Sequence, residues 1–151
     1  MQNAPLAGMN VGLNPFLQQL GVEILSAENG RAQLSLMLSE QHMNSWQITH
    51  GGVLMSLLDV AMAMAGRSAH PEQKGVVTVE MKTMFLQAGG APTERLLVTG
   101  EVFHRSTTMC FCEGAITLGE QLVAKASGTF KYLRRVPPTK KNEVSQTDGS
   151  D

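Results

Sequence analysis

Cysteine is scarce in this chain, and the scarcity removes several protein classes at once. Only two occur in 151 residues, Cys110 and Cys112, in a stretch that reads as a strand. Residues two apart in a strand share a face, so the pair points one way rather than bridging. C-x-C is also neither a zinc nor a thioredoxin spacing, and the pair reads as buried, reduced thiols of a cytoplasmic protein. An excess of either charge is lacking too: 12 Lys and Arg against 13 Asp and Glu leave a net −1. That balance argues against nucleic acid and against an anionic membrane as partners. His42, His70 and His104 have no ligand-like spacing, so no metal or other cofactor is expected. No run reaches the ~20 apolar residues of a bilayer span. The opening residues, MQNAPLAGMNVG, show neither the basic nor the apolar segment of a signal peptide.

What is present reads as one domain over 13–135, between a flexible N-terminus (1–12) and a disordered tail (136–151). Asn14-Pro15 followed by FLQQLG predicts a capped short helix closed by Gly21. Strands are predicted over 22–27 and 31–38, joined by a Glu28-Asn29-Gly30 turn. An irregular polar loop, SEQHMNSWQIT, then leads into a helix over 51–68. Four more strands are predicted at 76–86, 96–104, 108–118 and 121–133. Short connections imply antiparallel neighbours. One long helix and about six strands, in the order β-β-α-β-β-β-β, make an α+β chain whose sheet must curl around the helix.

The helix holds the most informative residue. From Val53 to Ala65 its only polar side chains are Ser56 and Asp59. A helix apolar on every side is expected to be buried all round, and a lone carboxylate there is costly unless something pairs with it or uses it. Just before it stands His50-Gly51-Gly52. The first amides of a helix have no intrahelical acceptor, and the helix dipole favours negative charge beside them.

The pattern N-x5-H-G-G-x7-D, followed by TVEMKTMFLQAG and GEVFHRS…LVAKASGTFKY, resembles the hotdog-fold acyl-CoA thioesterases of the phenylacetate-degradation type. The resemblance implies a curved antiparallel sheet wrapped around one central helix, an acyl-CoA substrate, and a homotetramer built as a dimer of dimers. It implies an oxyanion hole at the Gly51 amide, with Asn44 and His50 orienting the thioester carbonyl and the attacking water. It further implies Asp59 as general base or nucleophile, and Thr78 as the hydroxyl that holds water near that carboxylate. Nothing in the local sequence demands an amide at Asn44. Gly52 adds close backbone approach, Trp46 could cover the acyl pocket, and Arg67, Arg105, Lys131 and Arg134 are candidates for CoA phosphates.

Asp59 lies eight residues beyond Gly51, ~12 Å along the helix axis. One carbonyl cannot meet both groups of one chain. The spacing therefore argues for a homodimer that shares its active sites. Two alternatives remain open on sequence: a dehydratase or hydratase acting on acyl thioesters, and a non-catalytic acyl-CoA-binding protein. The first needs a His–acid pair at the β-carbon, whereas His50 stands at the helix entrance.

Overall fold

Asn14 opens the first helix, α1 (Pro15–Leu20), with its side chain accepting the Leu17 N–H and Gly21 closing it at φ 79. The computed structural model describes residues 14–72 and 75–134. The expectations for 1–12 and 136–151 lie outside the described residues. Strands β1 (Glu23–Glu28) and β2 (Arg31–Met37) follow, joined by a turn in which Asn29 and Gly30 take φ 50 and 79. Two successive left-handed residues are what a tight hairpin with right-handed strand twist requires. The polar loop after β2 is less irregular than expected, for Glu40–His42 form a turn of 3-10 helix.

Then come the long helix α2 (Gly51–Ala69) and four strands, β3 (Gly75–Phe85), β4 (Arg95–Arg105), β5 (Met109–Leu118) and β6 (Gln121–Leu133). All six strands form one antiparallel sheet in the order β1-β2-β4-β5-β6-β3. The sheet curls so that every strand packs against α2, which is the hotdog architecture that the resemblance implied.

The core lies between α2 and the inner sheet face. Leu34 and Leu36 of β2, Leu96 and Val98 of β4, Ile116 of β5 and Phe130 of β6 close on Leu57, Leu58, Ala61 and Met62 of the helix, all at most 1% exposed. Gly100 of β4 and Gly114 of β5 are register partners at the point of closest approach. A Cβ on Gly100 would fall on the Ala61 carbonyl and 2.8 Å from the Met62 nitrogen, and one on Gly114 would lie 3.2 Å from Leu58 and Met62 side chains. The missing side chains let helix and sheet backbones touch.

The expectation that α2 is buried all round is corrected here. Its length of 19 residues and mean hydropathy of 1.2 would suit a membrane span by composition alone. Instead, one side packs on the sheet while Gly52 and Met55 are exposed and Asp59, Val60 and Ala63 are half-buried. A single sheet wraps only part of the helix circumference. Cys110 and Cys112 share the inner face as expected, buried and free, with their sulfurs 4.0 Å apart. The hydrogen bond from the Cys112 thiol draws Cys110 down to about 7 against the effect of burial. The same contact, with burial, pushes Cys112 up.

Candidate active site

The N-terminus of α2 is built by its own sequence. His50 is the N-cap (φ −60, ψ 134), and its Nδ1 accepts the Gly52 N–H at 2.8 Å. That bond makes Nε2 the protonated nitrogen. The Val53 and Leu54 amides donate to the His50 carbonyl at 3.0 and 3.3 Å. The Gly51 N–H has no acceptor among the described residues. The aromatic ring of Phe85 lies beside it, 3.5–3.6 Å from where a Cβ on Gly51 would be. An unspent donor at a helix N-terminus, next to an apolar ring, is suited to negative charge on a ligand oxygen.

The loop before the helix is held by groups that sequence reasoning passed over. The Asn44 side chain demands its amide after all: Oδ1 accepts the Trp46 N–H at 2.9 Å and the Ile48 N–H at 3.3 Å. The Asn44 N–H in turn donates to the Ile48 carbonyl at 2.8 Å. N-S-W-Q at 44–47 is a legible signal for such a side-chain-closed turn. Thr49, buried, donates through Oγ1 to Gly89 and Gly90 carbonyls at 2.9 and 3.1 Å. His42, also buried, accepts the Ser39 N–H on Nδ1 at 3.0 Å and donates from Nε2 to the Leu20 carbonyl at 2.7 Å. Trp46 stands at the loop tip, 84% exposed, and covers no pocket within this chain.

Because Trp46 is the only tryptophan, it reports on that loop. Asn44→Ala should leave two amides to solvent, loosen the loop and cost about 1 kcal/mol. Asn44→Asp keeps the acceptor. Fluorescence anisotropy of Trp46 is expected to fall in the first variant and to hold in the second. Equal anisotropy in both would remove the organising role of this side chain.

The second cluster lies further along α2. Thr78, on the inner face of β3, donates from Oγ1 to Asp59 Oδ1 at 2.6 Å. The hydroxyl thus bonds the carboxylate itself, where the sequence suggested only a water near it. A break in the β3–β6 register between Thr78 and Glu80 re-aims the strand at this point. Asp59 is half-buried and lines an open groove of about 290 Å³ between α1, β1, α2 and β3, with Arg67 also on its wall. None of Asn44, Trp46, His50, Gly51 or Gly52 lines that groove.

The chain therefore gathers Asn44, Trp46, His50, Gly51 and Gly52 at one end and pairs Asp59 with Thr78 elsewhere. The eight-residue separation of ~12 Å along the helix keeps the two clusters apart. Arg105 joins neither. It ends β4 as the register partner of Cys110 and is exposed. No group of three His, Cys, Asp or Glu side chains among the described residues could hold a metal ion.

The site's elements are also those that family likeness covers. Residues 47–136 match the family described as the thioesterase superfamily. A Pseudomonas aeruginosa protein bearing a provisional esterase name is 30% identical over 119 residues, 78% of this chain and 87% of that one. The acyl-coenzyme A thioesterase PaaI of Escherichia coli is 34% identical over 86 residues, 57% of this chain and 59% of that one. The solved structure of E. coli PaaI superposes with a TM-score of 0.72 at 27% identity, covering 78% of this chain and 83% of that chain. The conserved protein PA5202 of P. aeruginosa superposes at 0.74 and 29% identity, covering 79% and 94%. With a family match over more than half its length and a fold shared with these enzymes, this chain belongs to the thioesterase superfamily and is a PaaI-like hotdog thioester hydrolase.

Proposed function

We propose that the protein hydrolyses acyl- or aryl-acyl-CoA thioesters to the free acid and coenzyme A, in clefts shared by two copies of the chain. The observation that carries this reading is the division of chemistry along α2. An unspent Gly51 amide stands at its start, and a carboxylate held by Thr78 stands ~12 Å further on. The name of the E. coli relative, an acyl-coenzyme A thioesterase, supports the substrate class.

In the proposed cleft the Gly51 N–H of one protomer receives the thioester carbonyl oxygen, and the partner's Asp59 faces the carbonyl carbon. Charge that builds on the oxygen as the tetrahedral intermediate forms then lies at the positive end of a helix dipole. Asp59 either takes a proton from the attacking water or attacks directly, giving a mixed anhydride that water opens. Either way the carbon–sulfur bond breaks and the CoA thiolate leaves, to be protonated from solvent. With its Nδ1 spent on Gly52, His50 has Nε2–H left to steer the carbonyl. Asn44, its oxygen spent on the loop, likewise offers its NH2. Trp46 would close over the acyl entrance and Arg105 would meet a CoA phosphate.

Pairing of chains is supported by β3. It is an edge strand whose only neighbour is β6, and it exposes Val77, Val79, Met84 and Phe85 at 43–55%. An apolar, unprotected edge is a liability unless another strand covers it. The proposal extends to a homotetramer built from two such dimers and to a cytoplasmic location. The dehydratase alternative is disfavoured by His50, whose Nδ1 is engaged as a helix cap rather than free to shuttle a proton.

Gly51→Pro tests the oxyanion role selectively. Proline is well accepted at the first helical position, the ψ of 134 at His50 is one that a residue before proline favours, and a Cβ at Gly51 meets Phe85 only at ordinary contact distance. The variant deletes one N–H and little else. Release of free CoA thiol should fall about 10²- to 10³-fold in kcat with the circular dichroism spectrum retained. Wild-type turnover in a folded Gly51→Pro enzyme would overturn the assignment.

A further inference from the structure

One face of α2 carries two opposite charges eight residues apart, Asp59 and Arg67, and a single groove runs between them. Its middle is walled by Leu17 of α1, Ile24 of β1, and Val60 and Met64 of α2. We propose that this groove takes an acyl group that ends in a carboxylate, and that Arg67 selects it. The inference rests on the thioesterase reading above and names the substrate class within it.

If Asp59 acts at the thioester carbonyl, the acyl group must leave the carbonyl from that end, and the groove is the space that opens there. Methylene groups or a ring suit its apolar middle. At the far end the guanidinium of Arg67 presents a planar fork of donors that matches a carboxylate in two parallel hydrogen bonds. Arg67 is in the last turn of α2, where the helix dipole favours a cation. Side chains on a helix lean toward its N-terminus, so Arg67 leans back toward Asp59 and shortens the ~12 Å axial separation. A volume of about 290 Å³ sits near the ~300 Å³ lower bound of ordinary ligand pockets, which fits a short chain.

The same charges set the direction of binding. A second carboxylate near Asp59 would be repelled, so a dicarboxylic half-thioester can enter only with its neutral thioester at Asp59 and its free acid at Arg67. A purely apolar acyl chain would instead end against a cation that it strips of water without pairing.

The test uses two matched pairs on the full-length enzyme: adipoyl-CoA with hexanoyl-CoA, and suberoyl-CoA with octanoyl-CoA, followed by release of free thiol. Wild type is expected to favour the carboxylate-ended member of at least one pair by about tenfold or more in kcat/KM, the worth of one charge-assisted pair. In Arg67→Met that ratio should collapse toward one, mainly through KM, because the contact is made equally in ground and transition states. Arg67→Lys should keep part of it. A wild-type ratio at or below one in both pairs overturns the proposal, as does an Arg67→Met enzyme that retains the wild-type preference. Failure of folded wild type to cleave any of the four would overturn the acyl-CoA reading as well. Cleavage without preference defeats this inference alone.

Discussion

Asp59→Ala should lower kcat for thioester cleavage about 10³-fold while the folded chain keeps its helix and sheet. The side chain touches no buried core group. Its one described bond is with Thr78, at 2.6 Å, and losing that contact costs about 1 kcal/mol. Asp59→Asn keeps the shape and still accepts from Thr78, so it separates charge from packing. It should be as inactive as Asp59→Ala and as stable as wild type. Turnover within a few-fold of wild type in either variant would remove Asp59 from the chemistry.

The pair of inactive variants also tests the shared cleft. When Asp59→Ala and Gly51→Pro chains are mixed, unfolded and refolded together, each mixed dimer holds one cleft with both lesions and one with neither. Random pairing makes half the dimers mixed, so roughly a quarter of wild-type activity should return. No return of activity, with mixed dimers shown to form, would place both groups in a single chain's site and defeat the two-chain mechanism.

Gly100→Ala is expected to be the most damaging small change to stability. The added Cβ would meet the Ala61 carbonyl and the Met62 nitrogen of α2, and neither backbone atom can swing aside as a flexible side chain would. Overpacking of this kind costs about 3 kcal/mol or more, lowering the thermal midpoint by about 10 °C. Gly75→Ala is the control. A Cβ there finds only Leu133, at 3.9 Å, so its effect should stay within about 0.5 kcal/mol. Equal midpoints for the two variants would show that the helix rides further from the sheet than described.

Periodicity and turn chemistry made most elements legible. The strand predicted at 121–133 coincides with β6, and the helix predicted to start at 51 ends one residue beyond expectation, at Ala69. The hairpin at Asn29-Gly30 and the cap at Asn14 were carried by local rules with one strong solution each. Strand order was not legible. Nothing in β3 or β6 marks them as neighbours, because their pairing is long-range and depends on how far the sheet curls. Register breaks, such as that at Thr78, are equally silent in sequence.

At the site, the residue types could be read from spacing and resemblance, but not what each is bonded to. Asn44 was assigned toward the ligand, and its oxygen is spent on Trp46 and Ile48. Thr49 and His42 went unnoticed because polar residues in a loop look solvated until the loop is seen pressed against Gly89, Gly90 and Leu20. The all-apolar helix misled for a related reason. Hydropathy reports what a helix must hide, and one chain supplies only part of the cover.

The place of β3 in the sheet also has a consequence for synthesis. A ribosome delivers β3 before β4, β5 and β6, yet its sole hydrogen-bonded neighbour is β6, the last strand to emerge. Until then the strand bearing Thr78 has no ladder to join, and the hydroxyl contact to Asp59 must wait for the chain to be nearly finished. Order at the reacting end is thus deferred to the final stretch of translation, and a nascent chain that stalls before β6 carries Asp59 without the strand that orients it.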